Sequence, residues 1–140
     1  MTVLESDSVL DTPTITFAEL PVLGANLAGG TFCGLTTLKN GAHAAVVLLP
    51  NKLHKRLGWQ QAVDWARDAG GELPSRPVAA LLYANAKPQF DDQWYWTGEA
   101  AGWDASYAWG CLFGDGNQFN HLKSYEGGVR AVRLLALDAA

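Results

Sequence analysis

The sequence has few charged residues and few cysteines, and its apolar segments are short. Asp, Glu, Lys and Arg make up 17% of the 140 residues, below the quarter or so that is usual in soluble domains. The longest apolar run, Ala44 to Leu49, is far shorter than the ~20 residues of a membrane-spanning helix. Cys33 and Cys111 lie far apart in the sequence, which matches no metal-ligand or redox spacing. We therefore predict no membrane insertion and two free, buried thiols.

Basic residues are absent from the first 38 positions. The acidic residues of that segment are Glu5, Asp7, Asp11 and Glu19. The remainder of the chain carries ten acidic and ten basic residues. The nearest approach to a basic cluster is the group Lys52, His54, Lys55 and Arg56, which is typical of a solvated loop and less often of a phosphate site. Nucleic acids require clustered Lys and Arg, so we predict no nucleic-acid partner.

The acidic start divides the chain into two predicted parts, an N-terminal arm (residues 1–28) and a folded domain (residues 29–140). Met1 to Asp7 lacks the basic and apolar regions of a signal peptide, so we expect synthesis in the cytoplasm. The arm has too few apolar residues to form a core by itself, but too many for an inert tail. Either it docks on a neighbouring subunit or partner, giving a homo-oligomer, or Thr14 to Phe17 pairs as an edge strand on its own domain.

Two strands and a hairpin are predicted in the first third of the domain. Thr31 to Leu38 alternates loosely, and Ala44 to Leu49 is a short continuous apolar strand. Asn40-Gly41 lies between them, and this pair is favoured in two-residue hairpin turns.

Two helices are predicted next. Trp59 to Ala69 places its apolar residues on one face and its polar residues on the other, so Trp59 and Trp65 are expected to be core anchors. Gly70-Gly71 provides a left-handed C-terminal stop. Ser75 is a suitable N-cap for a second, short helix that ends near Asn85.

The final third is rich in β-strand patterns. The predicted strands are Trp94–Thr97, Tyr107–Phe113, Gln118–Lys123 and Val129–Leu135. Gly114 to Asn117 is typical of a hairpin turn. Strands, two helices and then an antiparallel sheet predict an α+β fold.

No convergent set of catalytic residues is present in the sequence. His43, His54 and His121 lie in different segments, and none has a Ser, Cys or Asp at a spacing typical of a triad. Phosphate-loop, dinucleotide and zinc-protease motifs are missing. We predict a protein that is not an enzyme and that uses no cofactor and no metal.

Six short motifs occur in a characteristic order across residues 30–135. They are Trp59-x-x-Ala62-x-x-Trp65-Ala66, Gly70-Gly71-Glu72-Leu73-Pro74-Ser75-Arg76, Tyr95-Trp96-Thr97-x-Glu99, Ala108-Trp109-x-x-x-Phe113-x-x-Gly116-x-Gln118, Ser124-Tyr125 and Val129-Arg130-Ala131-Val132-Arg133. In this order the sequence resembles the domain of unknown function found at the C-terminus of collagen-like bacterial adhesins. The same domain occurs as small stand-alone proteins of tailed phages and prophages.

The resemblance implies a C-type-lectin-like fold, related to formylglycine-generating enzymes, in which late loops and strands form the ligand face. That face corresponds to Gly102 to Glu126 here. The candidate ligand-binding residues within it are Trp103, Asp104, Tyr107, Asp115, Asn117, Gln118, Asn120 and His121. Aromatic and amide side chains of this kind recognise sugars or protein surfaces by stacking and hydrogen bonding. Trp96, Trp109 and Phe113 are expected to belong to the core.

The sequence departs from the metal-dependent relatives of this fold. The closely spaced cysteine pair of formylglycine-generating enzymes is missing, since Cys111 is the single late cysteine. Of the calcium-lectin patterns only the fragment Trp103-Asp104 is present, and calcium requires six to eight oxygen ligands. The resemblance therefore favours metal-independent binding.

Two functions of different class are compatible with these observations. The first is a binding or structural module of a phage or prophage particle, which the resemblance places in the tail, made in the host cytoplasm without a signal peptide. Its partners would be a protein or surface glycan, together with other virion proteins or copies of itself. The alternative is a small intracellular effector that binds and inhibits a host protein.

Overall fold

Two β-sheets and two α-helices make up the fold of the computed structural model, which describes residues 13–138. The strands are β1 (Thr14–Ile15), β2 (Asn26–Leu27), β3 (Gly30–Thr37), β4 (His43–Leu48), β5 (Trp94–Ala100), β6 (Tyr107–Leu112), β7 (Gln118–Leu122) and β8 (Val132–Leu137). The helices are α1 (Trp59–Asp68) and α2 (Arg76–Ala86). The predicted α+β class is confirmed.

Strand β4 is the centre of a five-stranded sheet with the order β1-β8-β4-β3-β2. Ala45 and Val47 belong to a hydrophobic cluster that includes α1. Val46 and Leu48 belong to a second cluster that includes α2. The two helices therefore cover opposite faces of the sheet, which is why positions Ala44 to Leu48 of the strand are all apolar and do not alternate.

The predicted hairpin between β3 and β4 is confirmed, but its loop is longer than two residues. Thr37 and His43 are the last paired residues. Within the loop, the Leu38 amide donates to the Ala42 carbonyl at 2.7 Å, and Gly41 has a φ of +88°. The side chain of Asn40 accepts a hydrogen bond from the Ala42 amide at 2.9 Å, so Asn40-Gly41 shapes a wider turn.

Helix α1 packs through its small residues. Ala62 and Ala66 are buried, whereas Trp59 and Trp65 are half-buried at the margins of the same cluster. The predicted helix and its polar face are confirmed, but the two indoles are not its deepest anchors. Alanine at the centre of the contact allows the helix axis to approach the sheet closely, and the larger side chains then flank that contact.

Helix α2 begins at the predicted cap, since the Ser75 hydroxyl accepts a hydrogen bond from the Val78 amide at 3.3 Å. Val78 and Leu82 are buried against β-strand residues of the second cluster. Neither helix in the described part of the chain has the length and apolar character needed to cross a membrane.

The late strands β5, β6 and β7 form a separate antiparallel sheet in that order. The predicted turn between β6 and β7 is confirmed, with the Gly116 amide donating to the Leu112 carbonyl at 2.7 Å. Trp94 and Trp96 share one face, as predicted, and their ring centroids are 4.7 Å apart.

The last strand begins three residues later than the predicted Val129. Strand β8 begins at Val132, and residues 129–131 instead connect the two sheets. On one side the Leu49 amide donates to the Ala131 carbonyl at 3.0 Å, and on the other the Trp96 amide donates to the Gly128 carbonyl at 2.9 Å. The segment is therefore buried between the sheets without pairing continuously with either.

The segment before residue 29 contributes to the five-stranded sheet. Strand β1 pairs in parallel with β8, with Thr14 opposite Ala136, and β2 pairs with β3. The structure thus places Thr14–Ile15 as an edge strand on its own domain, so the boundary at residue 28 does not separate an independent arm. This pairing satisfies backbone groups along the free edge of β8, including the Ala136 amide that donates to the Pro13 carbonyl at 2.9 Å. Residues 1–12 of the predicted arm lie outside the described residues, and oligomerisation stays a prediction.

Candidate functional site

The predicted ligand-binding residues lie on both faces of the three-stranded sheet and in its loops. Successive side chains in a strand point to opposite faces. Trp109 pairs with Asn120, while Ala108 pairs with His121. Asn120 therefore lies on the same face as Trp109, and His121 lies on the face that carries Trp94. The resemblance predicts a single ligand face over residues 102–126, but the structure divides these side chains between two faces of the sheet.

Three of the predicted residues stabilise loops. The Asp104 carboxylate accepts a hydrogen bond from the Ser106 amide at 2.9 Å. The Asp115 carboxylate accepts hydrogen bonds from the Asn117 amide at 2.9 Å and from the Asn117 side chain at 2.8 Å. These are Asx-type turns, in which a short polar side chain replaces a backbone partner. Their hydrogen-bonding groups are engaged within the loops.

Gln118 joins the late sheet to the start of α2. Its side-chain oxygen accepts a hydrogen bond from Arg76 Nε at 2.8 Å, and its side-chain nitrogen donates to the Arg76 carbonyl at 2.9 Å. The Arg76 guanidinium also lies 3.5 Å above the centroid of the Trp109 ring, in a cation–π arrangement. Glu99 accepts a hydrogen bond from the Arg76 amide at 2.8 Å. The four side chains form one connected network.

Trp109 is not a core residue, contrary to the sequence prediction. It is half-buried because Arg76 covers one side of its ring and the remainder lies on the outer face of the sheet. Trp96 and Phe113 are buried, as predicted. The sequence motifs contained both Arg76 and Trp109, but strand alternation alone could not show which partner would cover the indole.

Four residues on or beside the Trp109 side of the late sheet form a surface that we call the outer aromatic face. They are Trp103, Tyr107, Trp109 and Asn120. Trp103 is 65% exposed, and its ring centroid is 5.1 Å from that of Tyr107. Asn120 Oδ1 is buried and has no hydrogen-bond partner among residues 13–138. An unsatisfied buried acceptor is unfavourable by about 1–3 kcal/mol.

His121 lies on the opposite face, apart from the outer aromatic face. Its ring stacks on Trp94 with centroids 3.9 Å apart and planes at 11°. Gly110 makes this stack possible, because a Cβ at that position would lie 2.8 Å from Trp94 and 3.0 Å from His121. His121 Nε2 is buried without a hydrogen-bond partner in the described part of the chain.

We expect His121 to make the folded state sensitive to mild acid. Burial lowers the pKa of His121 below its ordinary value, so at a pH just below 6.5 the unfolded chain binds more protons than the folded one. The free energy of unfolding should therefore decrease as the pH falls through the ordinary histidine pKa towards the lowered one. Urea denaturation of the wild type and of His121→Gln at pH 7.5 and 5.5 measures this contribution. A wild type that loses no more stability on acidification than the variant would contradict it.

Both cysteines are free and buried, as predicted. Burial raises the pKa of Cys33 and of Cys111, which disfavours the thiolate that nucleophilic and metal-binding cysteines require. Across residues 13–138, no group of three or more His, Cys, Asp and Glu side chains has a geometry that could hold a metal ion.

Comparison of the chain with protein-family models gives no match, and comparison with curated proteins gives no similar sequence.

Proposed function

We propose that this protein is a non-catalytic binding module of a phage or prophage particle, with a C-type-lectin-like fold, and that the outer aromatic face contacts its ligand. The fold proposal is supported by two helices packed on one sheet and by a second sheet built from late strands. The order of the sequence motifs supports the association with a particle. The exposed indole of Trp103 is the single observation that carries the assignment of the face.

The composition of this face is typical of surfaces that bind a protein or a glycan. Trp103 and Tyr107 offer apolar area together with polar edges, and such rings lose little conformational entropy on binding. Arg76 limits the motion of the Trp109 ring, so part of the face is ordered before a ligand arrives.

Mass spectrometry of purified particles tests the particle assignment. A host strain that carries the gene is induced, and particles are separated from soluble protein on a density gradient. We expect the chain to sediment with the particles at constant stoichiometry to a known structural protein. Its presence in the soluble fraction and absence from particles would contradict the proposal and would favour an intracellular effector.

A binding assay tests the face. If labelled protein binds the cells that the particle infects, replacing Trp103 and Tyr107 together by alanine should weaken binding by at least about 2 kcal/mol, as for aromatic hot spots. This corresponds to roughly 30-fold in Kd.

The matched control is Phe119→Ala. Phe119 is an exposed aromatic residue of the same sheet, but its strand position places it on the opposite face. Equal loss of binding in the control, or unchanged binding in the double variant, would show that the outer aromatic face is not the contact surface.

A further inference from the structure

A pocket of about 240 Å³ lies on a different part of the molecule. Its floor is formed by Tyr95, Val129 and Arg130, all buried. Its rim is formed by two loops, at residues 52–54 and 89–93. The pocket shares no residue with the outer aromatic face.

The floor of the pocket contains a buried positive charge. Arg130 is 4% exposed. Its Nη1 donates to the Gln89 carbonyl at 2.6 Å, and its Nη2 donates to the Leu49 carbonyl at 3.0 Å. Arg130 Nε is buried without a partner among the described residues. A guanidinium has five N–H donors, so two carbonyl bonds leave it incompletely satisfied.

Among residues 13–138, Arg130 forms no salt bridge, although the Asp91 carboxylate of the same pocket interacts with its charge. The salt bridge found in this part of the chain joins Arg67 and Asp64 at 3.4 Å, on the exposed face of α1. Burial lowers the pKa of Arg130, which reflects the unfavourable free energy of removing the charge from water. A buried charge is usually paired and hydrogen-bonded, and an anion in the pocket would complete such a pairing.

The rim of the pocket adds further basic side chains. Lys52 and His54 line it, and Arg56 donates two hydrogen bonds to the side chain of Gln93, at 3.0 and 2.8 Å. These residues belong to the basic group that the sequence indicated as a solvated loop or, less often, a phosphate site. Folding places two members of the group, Lys52 and His54, in the lining of the pocket that contains Arg130.

Two other polar groups of the pocket, Asp91 and Tyr95, indicate which class of anion it could bind. Asp91 lines the rim, and its negative charge disfavours a dianion while offering an acceptor to a hydroxyl group. The Tyr95 hydroxyl accepts a hydrogen bond from the Asp91 amide at 2.9 Å, so its own proton remains available to an acceptor. The planar fork of arginine suits a carboxylate. A cavity of this size is slightly smaller than ordinary small-molecule sites.

We propose that the pocket binds a hydroxylated monocarboxylate of about monosaccharide size, a sugar acid, with the carboxylate towards Arg130 and a hydroxyl group towards Asp91. This site goes beyond the proposed function, because it lies on a different surface and its ligand need not belong to the ligand of the outer aromatic face. Failure of one proposal leaves the other standing.

Isothermal titration calorimetry of the full chain at low salt tests the proposal, with D-gluconate as the probe. Sorbitol is the matched control, since it has the same carbon chain and hydroxyl groups without the carboxylate. We expect gluconate to bind with a Kd of about 1 mM or tighter, and sorbitol to bind at least tenfold more weakly. Acetate and inorganic phosphate are expected to bind more weakly than gluconate.

Three variants assign the binding to the pocket. Arg130→Lys keeps the charge but removes the fork, and should weaken gluconate binding by about tenfold or more. The double variant Lys52→Ala/His54→Ala changes only exposed rim residues, and should weaken binding by about fivefold at low salt. Lys39→Ala removes one charge from the distant β3–β4 loop and should leave the Kd within about twofold.

The rim variant keeps the test decisive if Arg130→Lys fails to fold, which circular dichroism would reveal. The proposal is overturned by absent gluconate binding up to about 10 mM, by equal binding of sorbitol, or by tighter binding of acetate or phosphate. It is also overturned if the folded Arg130→Lys variant binds gluconate with the Kd of the wild type. The same holds if the Kd of Lys52→Ala/His54→Ala for gluconate is no weaker than that of Lys39→Ala.

Discussion

Replacing Trp96 by alanine is expected to lower the free energy of unfolding by about 3–5 kcal/mol, as for other large aromatic truncations in cores. Trp96 is 0% exposed and is the largest fully buried side chain of the described residues. It packs in the cluster that contains Ala62 and Ala66 of α1. Its indole N–H also donates to the Leu57 carbonyl at 2.8 Å. The substitution therefore removes packing and one of the two hydrogen bonds that this carbonyl accepts, the other coming from the Gly127 amide at 2.8 Å. Urea denaturation at constant pH measures the loss.

Two further substitutions separate the contributions of Trp96. Trp96→Phe retains a ring but not the N–H donor, and the lost hydrogen bond to the Leu57 carbonyl should account for about 0.5–1.5 kcal/mol of the loss. Trp103→Ala truncates an exposed indole and should change stability by no more than about 0.5 kcal/mol. If Trp96→Ala and Trp103→Ala unfold at the same urea concentration, the assignment of Trp96 to the core is wrong.

Gly71→Ala is expected to destabilise the protein by about 3 kcal/mol, at the upper end of the usual range for overpacking. A Cβ at Gly71 would clash with the Val132 carbonyl oxygen and would lie 2.9 Å from Leu49. The nearest obstacle is backbone of the sheet, so a side-chain rotation cannot relieve it. Neighbouring Glu72 pairs with Val132 in an isolated β-bridge, which this clash would disrupt. Thermal and urea unfolding both report the effect.

Two other glycines provide the comparison for Gly71. Gly102 has no atom within 4 Å of an added Cβ, so Gly102→Ala should be nearly neutral. Gly70 has a φ of +91°, and alanine there should lose about 1–2 kcal/mol through the left-handed conformation. A Gly71→Ala protein as stable as Gly102→Ala would show that the chain does not approach Val132 as closely as the structure has it.

The end of α1 illustrates how far local chemistry predicts structure. The Gly70 amide donates to the Arg67 carbonyl and the Gly71 amide to the Ala66 carbonyl, each at 3.0 Å, the two bonds of a Schellman motif. The left-handed stop was predictable, because glycine adopts a positive φ without a steric penalty. The reason that position 71 must be glycine was not predictable, because the obstructing carbonyl belongs to a strand some sixty residues later.

The candidate site was only partly predictable for a similar reason. Trp103 and Tyr107 are aromatic residues in and beside a loop, and their role in an exposed face follows from that local context. Asn120 and His121 lie on opposite faces of the sheet, and which face each occupies depends on the register of β6 and β7. The position of Arg76 over Trp109 depends on how α2 packs on the sheet, and no local pattern of either residue encodes that packing.

The sequence by itself determined the elements whose causes lie within a few residues. These are the polar and apolar faces of α1, the Ser75 cap of α2, the two hairpin turns and the apolar run Ala44 to Leu48 of β4. Only the tertiary structure decided that the Arg130 side chain is buried. Its alternation with Val129 and Ala131 is typical of a solvent-facing strand position, yet the residue is buried. Residues 129–131 cross between the two sheets, where both faces of the chain are covered. The Arg130 guanidinium, which the local pattern would place in water, is therefore buried at the base of a pocket.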